Sequence, residues 1–346
     1  MNTQIYATFG PACGEETILK QMIEAGMTGM RLNLSHTTLP ASEEYIRAYR
    51  HAAEELGVVP QILIDMQGPE LRVGTLAEAV VLEEGAQCCL SGGALALDEE
   101  DCSVSRIPVP QAVIQAAQVG DEMLLDDGKI LLEVTRGDSE SDHTIQGKVI
   151  RGGILHGHKS VKLVGKDVHM PALTDHDIDN IKLAKNYGVT ALMQPFVRSP
   201  EDLRCVRNVL KAHGAEEVQI FAKIENCAGV DNLEQLLPEA DVIIIARGDL
   251  GNDMPLWELP RVQKQIEAVC KVHNKPYVVV TQMLSSMEQS PVPTRAEVSD
   301  IFHAVYHGAW GVMITGESAI GKYPIEAVKY LANVSGEAEE YSVIRQ

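Results

Sequence analysis

Short apolar runs rich in β-branched residues alternate with longer amphipathic segments along this chain, and the apolar runs number eight. Such alternation is typical of a parallel sheet in which a helix follows each strand. Eight strand–helix units close a barrel, so the sequence predicts an α/β protein with a (β/α)8 TIM barrel. The predicted strands are 5–9, 29–34, 61–66, 190–196, 219–224, 241–246, 277–281 and 311–315, and the clearest helical patterns are 15–25, 42–56, 200–213, 259–273, 294–307 and 324–340.

The alternation breaks after the third predicted strand. Short strand patterns separated by glycine- and aspartate-containing turns then replace the helical ones, at 80–82, 122–125, 130–134 and 144–150. We therefore predict a small all-β domain, 73–168, inserted into a barrel domain made of 1–72 and 169–346. Connections after barrel strands lie at the C-terminal mouth, where barrel enzymes bind substrates, so the insert is expected to act as a lid that excludes water. A passive insertion is the alternative.

The composition excludes several classes of function. A net charge of −20 without a basic stripe argues against nucleic acid as a partner, and an anionic substrate would need local cations. The sequence shows neither a membrane-spanning apolar run nor a signal-peptide pattern, so no membrane partner is expected. Seven cysteines without a Cys-x-x-Cys pair indicate a reducing compartment, and we expect the cytoplasm.

Charged side chains follow two successive predicted strands. Lys223 and Glu225 are two residues apart and therefore emerge on one face, and Asp249 follows the next strand. A lysine between two carboxylates suits a hard divalent cation and a phosphate that bridges to the ammonium. A buried lysine–carboxylate ion pair is the alternative, but the repetition at two strand ends favours a binding site.

Other polar residues follow strands whose ends meet the same rim of a barrel. Alternation along the second strand places Arg31, Asn33 and Ser35 on one face, and Asp65 ends the third strand. Thr281 and Glu317 follow the seventh and eighth strands. Their convergence predicts an active site at the C-terminal mouth.

These residues belong to motifs that resemble the pyruvate kinase family, in family order from the first strand to the eighth helix. The motifs include Ala-Thr-Phe-Gly-Pro-Ala (7–12), the segment 26–36, Gly-Pro-Glu-Leu-Arg (68–72), Asp-Asp-Gly (126–128), Lys-Ile-Glu-Asn (223–226), Ala-Arg-Gly-Asp-Leu-Gly (246–251), Thr-Gln-Met (281–283), Pro-Thr-Arg-Ala-Glu (293–297) and Gly-Glu (316–317). The resemblance implies transfer of the phosphoryl group of phosphoenolpyruvate to ADP, giving pyruvate and ATP through a Mg²⁺-stabilised enolate. It covers the barrel and the insert, and we expect the family's usual C-terminal domain, with its sugar-phosphate site, to be absent.

The resemblance also implies a role for each matching residue. Glu225 and Asp249 would bind Mg²⁺, Lys223 would stabilise the phosphoryl group in flight, and Arg31 would bind its oxygens. Backbone amides around Gly248 and Asp249 would bind the substrate carboxylate. Thr281 would lie at the carbon that is protonated, Glu317 would belong to the proton relay, and Arg72 would line the mouth. The residues implied for K⁺ are Asn33, Ser35, Asp65 and the Met66 carbonyl. Those implied for the nucleotide are Pro11, Arg31, His36 and Lys159, and Asp127 would belong to the lid.

The chain departs from the family pattern at several positions, namely Met66, Gln67, Lys162, His169 and Pro195. A glutamate at the position of Glu70 goes with K⁺ dependence in this family, so we predict that K⁺ is required, although Met66 and Gln67 resemble the K⁺-independent subgroup. Two alternatives stay open: a lyase or aldolase of the phosphoenolpyruvate/pyruvate barrel type, and a non-catalytic metabolite sensor. A homodimer through barrel helices, with 294–307 as one face, is also predicted.

Overall fold

The computed structural model of the protein describes residues 2–35, 37–69, 71–92, 105–126, 128–138, 143–166, 168 and 170–344. Four residues that the sequence singles out, His36, Glu70, Asp127 and His169, lie outside the described residues. The contacts between residues divide the chain into two units, one formed by Met1–Gly68 and Ala172–Gln346 and the other by Pro69–Pro171.

The described residues form the following strands and helices. The strands are β1 Gln4–Thr8, β2 Gly29–Asn33, β3 Gln61–Asp65, β4 Val80–Leu82, β5 Gln87–Gly92, β6 Ser105–Val109, β7 Glu122–Leu125, β8 Ile130–Arg136, β9 Thr144–Arg151, β10 Gly153–Leu155, β11 Val161–Leu163, β12 Ala191–Gln194, β13 Gln219–Ile224, β14 Val242–Ala246, β15 Tyr277–Val280 and β16 Gly311–Met313. The α-helices are α1 Glu16–Glu24, α2 Glu43–Glu55, α3 Gln111–Ala116, α4 Asp175–Ala184, α5 Pro200–Ala212, α6 Cys227–Asp231, α7 Leu233–Leu236, α8 Arg247–Asn252, α9 Leu259–Val272, α10 Arg295–Tyr306, α11 Gly316–Ala319 and α12 Pro324–Ile344.

The first unit is a closed parallel barrel, which confirms the predicted (β/α)8 fold. Its strands follow one another around the barrel in the order β1, β2, β3, β12, β13, β14, β15, β16, and β16 pairs with β1. Parallel strands covered on both sides are apolar throughout, and β14 illustrates this. Its Ile243 and Ile245 pack towards the helices, whereas Ile244 packs inside the barrel with residues such as Phe221 and Val278.

Helix α4, like α6 and α7, is a helix of the barrel unit that lies outside the clearest helical patterns of the sequence. Its sequence is rich in aspartate, and its amphipathic character is weak. The helix begins with a capping box between Thr174 and Asp177, which satisfies backbone donors of the first turn. The buried Asp177 carboxylate also accepts hydrogen bonds from the backbone N–H groups of Gln67 and Gly68, at 2.8 and 3.0 Å. It therefore fixes the segment that follows β3.

The second unit, Pro69–Pro171, has its own hydrophobic core. A six-stranded sheet runs in the order β11, β7, β8, β9, β5, β6, and β10 pairs separately with β4. Glu122–Leu125 coincides with its predicted strand, whereas β5, β6, β10, β11 and the short helix α3 were not predicted. The domain boundaries at 73 and 168, and the function of this unit as a lid, stay predictions. None of the helices described in the chain has both the length and the apolar character needed to cross a membrane.

Candidate active site

Four charged side chains form a continuous chain of ion pairs at the C-terminal ends of β2, β3 and β13. The Asp65 carboxylate accepts hydrogen bonds from Arg31 Nε at 2.8 Å and from Lys223 Nζ at 3.2 Å, and Arg31 Nη2 lies 2.7 Å from Asp65 Oδ2. Lys223 Nζ is also 2.9 Å from Glu225 Oε1. Lys223 therefore lies between two carboxylates. The sequence predicted Glu225 and Asp249 for this arrangement, whereas Lys223 Nζ forms its ion pairs with Glu225 and Asp65.

Strand geometry brings these side chains together. Leu63 and Phe221 point into the barrel, so Asp65 and Lys223, each two residues further along its strand, point the same way. One strand, β12, separates β3 from β13, and alternate strands contribute side chains to one interior layer. The side chain of Lys223 is 13% exposed and that of Asp65 is 3% exposed. Each charge is thus largely removed from water and depends on its partners.

The charges of these groups shift one another's pKa values. Burial by itself raises the pKa of Asp65, but the positive charges of Lys223 and Arg31 outweigh it and hold the pKa of that carboxyl below its usual value. Burial lowers the pKa of Lys223, and the charges of Asp65 and Glu225 outweigh it, so the net shift is upward. Lys223 therefore remains an ammonium at neutral pH.

Glu225 behaves differently from Asp65. Burial raises the pKa of its carboxyl to about 7, because the Lys223 ammonium compensates only part of the burial and the negative charges of Asp249 and Asp65 add to it. Glu225 Oε2 accepts a hydrogen bond from the Phe196 backbone N–H at 2.9 Å. Asp249 lies in the short helix α8 and is exposed. The buried carboxylate of Glu225 and the exposed one of Asp249 together carry excess negative charge, which fits a hard divalent cation because such ions prefer oxygen ligands.

Thr281 lies directly after β15 in a backbone conformation that β-branched residues rarely adopt. Its φ is 77°, and that of Gln282 is 56°. The Arg247 side chain donates to the Thr281 carbonyl from Nη2 at 2.7 Å and from Nε at 3.2 Å, while its Nη1 donates to Asp300 of α10 at 2.6 Å. A Cβ atom on Gly248 would lie 3.0 Å from Thr281 Cγ2, so glycine permits this close approach. Arg247 therefore holds Thr281 in a strained conformation.

Glu317 is buried, and backbone groups occupy its carboxylate. Oε2 accepts from the Thr315 N–H at 2.7 Å, and Oε1 accepts from the Leu284 N–H at 3.0 Å. The residue thus joins the segment after β15 to the segment after β16. The geometry shows a carboxylate that positions two strand-end segments, whereas a part in a proton relay stays a prediction.

The structure changes one expectation about the residues assigned to K⁺. Strand β2 ends at Asn33, and Ser35 lies in the following turn, so strand alternation does not place Ser35 on the face of Arg31. Asn33 Oδ1 instead accepts a hydrogen bond from the Ser35 backbone N–H at 3.2 Å. Met66 is buried, and its N–H donates to the Met193 carbonyl at 3.1 Å. The K⁺ site stays a prediction.

The residues assigned to the nucleotide are divided between the two units. Pro11 lies exposed in the turn that follows β1, in the barrel unit with Arg31. Lys159 and Arg72 lie in the second unit, where Lys159 Nζ is 3.0 Å from Asp126 Oδ1 and Arg72 Nη1 donates to the His158 carbonyl at 2.6 Å.

Sequence reasoning gave no role to several residues that contact the candidate site residues, among them Thr8, Arg247 and Asp126. Thr8 Oγ1 accepts a hydrogen bond from Arg31 Nη1 at 3.2 Å. Arg247 and Asp126 were visible only as members of motifs, without a role of their own. Thr8 ends β1 and, like Tyr6 two residues before it, points into the barrel. Strand alternation and the motif at 7–12 were thus the sequence signals that could have identified Thr8.

Comparisons with known proteins agree with this geometry. A family model described as the pyruvate kinase barrel domain matches residues 1–328. The chain is 38% identical over 340 residues to a pyruvate kinase of Bacillus licheniformis and 38% identical over 339 residues to one of Geobacillus stearothermophilus, covering 98% of this chain each time. A pyruvate kinase of Staphylococcus haemolyticus is 37% identical over 343 residues, or 97% of this chain. The alignments span 57% of the length of each of these relatives. The ion-paired barrel mouth and these matches over nearly all of its length show that the chain belongs to the pyruvate kinase family.

Proposed function

We propose that the protein transfers the phosphoryl group of phosphoenolpyruvate to ADP, giving pyruvate and ATP. The observation that carries the proposal is the position of Lys223, a largely buried ammonium held by Asp65 at 3.2 Å and by Glu225 at 2.9 Å in the mouth of the barrel. Phosphoryl transfer proceeds through a loose transition state, so catalysis depends on positioned positive charge more than on covalent chemistry. An ammonium fixed by two carboxylates meets that requirement.

Each proposed residue contributes a separate interaction. Lys223 would stabilise the phosphoryl group in flight and Arg31 would bind its oxygens, and Asp65 holds the two cations together so that neither has to be reorganised during the reaction. Glu225 and Asp249 would hold Mg²⁺, which would supply Lewis-acid stabilisation of negative charge on the substrate. The backbone amides of Gly248 and Asp249 would bind the substrate carboxylate. Thr281, fixed by Arg247, would lie at the carbon that is protonated.

The experiment that tests the proposal is a coupled pyruvate assay with phosphoenolpyruvate, ADP, Mg²⁺ and K⁺. Turnover that requires all substrates supports it, and Lys223→Met is expected to lower kcat by about 10²-fold or more while leaving phosphoenolpyruvate binding largely intact. Lys182→Met is the matched control, because Lys182 is also paired with a carboxylate, Asp179 at 2.8 Å, but lies exposed on α4. Equal turnover in wild type and Lys223→Met would contradict the mechanism.

The same assay separates the alternatives. Consumption of phosphoenolpyruvate without ADP would indicate a lyase or aldolase, and binding of both substrates without turnover would indicate a sensor.

Replacing K⁺ by a bulky organic cation at constant ionic strength is expected to lower turnover at least several-fold, since we propose that the anionic substrates need this counter-ion. Equal rates in the two salts would show that the protein works without K⁺.

We also propose that the protein forms a homodimer through α10. Arg295, Ser299 and His303 of this helix are exposed along one side, which leaves that side accessible to a second copy. Sedimentation analysis over a range of protein concentrations tests this, and a monomer at every concentration would contradict it.

A further inference from the structure

Two lysines of the second unit share one buried carboxylate. Asp126 is 7% exposed. Its Oδ1 lies 3.0 Å from Lys159 Nζ, and its Oδ2 accepts a hydrogen bond from Lys129 Nζ at 3.1 Å. A carboxylate removed from water depends strongly on such partners, so these pairs are restrained more than an ion pair at a fully exposed site. The carboxylate therefore fixes the end of the Lys159 side chain.

The backbone at both ends of the Asp126–Lys159 pair is fixed as well. The Asp126 N–H donates to the Ser160 carbonyl at 3.1 Å, which continues the pairing of β7 with β11. On the other side, the Lys159 carbonyl accepts from the Val73 N–H at 2.7 Å. The neighbouring His158 carbonyl accepts from Arg72 Nη1 at 2.6 Å. Lys159 is thus held by its backbone from one side and by its ammonium from the other.

We infer that Asp126 is a positioning residue for nucleotide binding, which holds the Lys159 ammonium where it meets a phosphate of the nucleotide. The inference rests on the proposed function, which assigns Lys159 to the nucleotide. A lysine side chain has several rotatable bonds, and immobilising it on binding costs conformational entropy. The ion pair with Asp126 removes part of that cost in advance. An ammonium carries three donors, so one ion pair leaves donors for a phosphate.

The test compares Asp126→Asn with wild type in steady-state kinetics. The KM for ADP is expected to rise about fivefold, because the ammonium is no longer restrained by charge, while kcat and the KM for phosphoenolpyruvate stay within about twofold of wild type. Asp121→Asn is the matched control in the same unit, because it breaks a comparable ion pair, to Lys166 at 2.6 Å, that does not involve Lys159. Its KM for ADP should not change.

A double-mutant cycle shows whether Asp126 acts through Lys159. Lys159→Met alone should raise the KM for ADP, and adding Asp126→Asn to it should have no further effect. Additive effects, an unchanged KM for ADP in Asp126→Asn, or a lower one would overturn the inference. If Asp126→Asn does not fold, Asp126→Glu keeps the charge and displaces it by one methylene. The KM for ADP should then rise at a constant KM for phosphoenolpyruvate, and an unchanged value would equally overturn the inference.

Failure of the proposed function is recognised separately. A wild-type protein without turnover contradicts the proposed phosphoryl transfer, and the positioning role of Asp126 is then measured by calorimetric titration of ADP into the same set of proteins. About fivefold weaker ADP binding by Asp126→Asn, and not by Asp121→Asn, supports the inference. Equal affinities, or no ADP binding by wild type, overturn it.

Discussion

Asp65→Asn is the substitution that most directly tests the account of the barrel mouth. The Asp65 side chain is 3% exposed, and its carboxylate contacts both Arg31, at 2.7 Å, and Lys223, at 3.2 Å. Asparagine keeps the shape but removes the charge, and its amide adds a donor that faces two cations. Breaking a buried ion pair in this way leaves an uncompensated charge and costs about 3–5 kcal/mol. We expect the free energy of unfolding of the barrel to fall by that amount.

Urea unfolding followed by circular dichroism measures the effect. The protein has two units and need not unfold in one step, so the transition of the barrel is fitted separately, and the transition of the second unit should not move. Asp179→Asn serves as the control, because Asp179 pairs with Lys182 at 2.8 Å on the exposed face of α4. That substitution should leave the barrel transition unchanged within error.

The dependence on pH gives a second measurement of the same interaction. The cations hold the folded-state pKa of Asp65 below the ordinary value of 3.8. Its stabilising contribution is therefore fully present above that value and is lost as the pH falls through the lower, folded-state pKa. In Asp65→Asn, the free energy of unfolding should therefore fall less steeply as the pH is lowered through this range. A barrel destabilised no more by Asp65→Asn than by Asp179→Asn, or an identical acid profile in wild type and Asp65→Asn, would refute the reasoning.

Three further predictions concern the site. The pKa of Glu225, raised by burial to about 7, predicts that Mg²⁺ affinity falls about tenfold per pH unit below pH 7. Because this folded-state pKa exceeds the ordinary 4.5, the metal-free protein should lose stability as pH rises from about 4.5 to 7, which urea titrations measure. Calorimetric Mg²⁺ titrations at pH 6 and 8 measure the change in affinity, and equal affinities at the two pH values would contradict the assignment of Glu225 to Mg²⁺. Arg247→Lys should lower kcat about tenfold without loss of helix content, since a lysine cannot replace both hydrogen bonds to the Thr281 carbonyl, and unchanged kcat would show that this carbonyl does not matter. Glu317→Gln should destabilise the barrel by about 1–3 kcal/mol and speed hydrogen exchange at 281–289, because one buried backbone donor loses its acceptor; unaltered exchange there would argue against the positioning role.

The periodicity of the sequence predicted most of the barrel because each barrel element carries its own local signal. Gln219–Ile224 is a strand over the predicted residues, and the other barrel strands differ only at their ends. The end of β12 shows why such limits are uncertain. The predicted strand reached 196, but β12 ends at Gln194, Pro195 has no N–H for a ladder, and Phe196 has a φ of 51°. Helix α4 escaped prediction because its capping box and Asp177 contacts, more than an apolar stripe, mark it.

By itself, the sequence determined which residues within the barrel strands face the interior, because side-chain direction along a strand follows from a period of two. That placed Lys223, Glu225 and Asp65 at one rim. Only the tertiary structure decided their partners. Lys223 and Asp65 are 158 residues apart in the chain, and their contact depends on closure of the barrel and on the side-chain rotamers chosen there. The pKa values then follow from burial and from neighbouring charges, and neither quantity exists before the chain is folded.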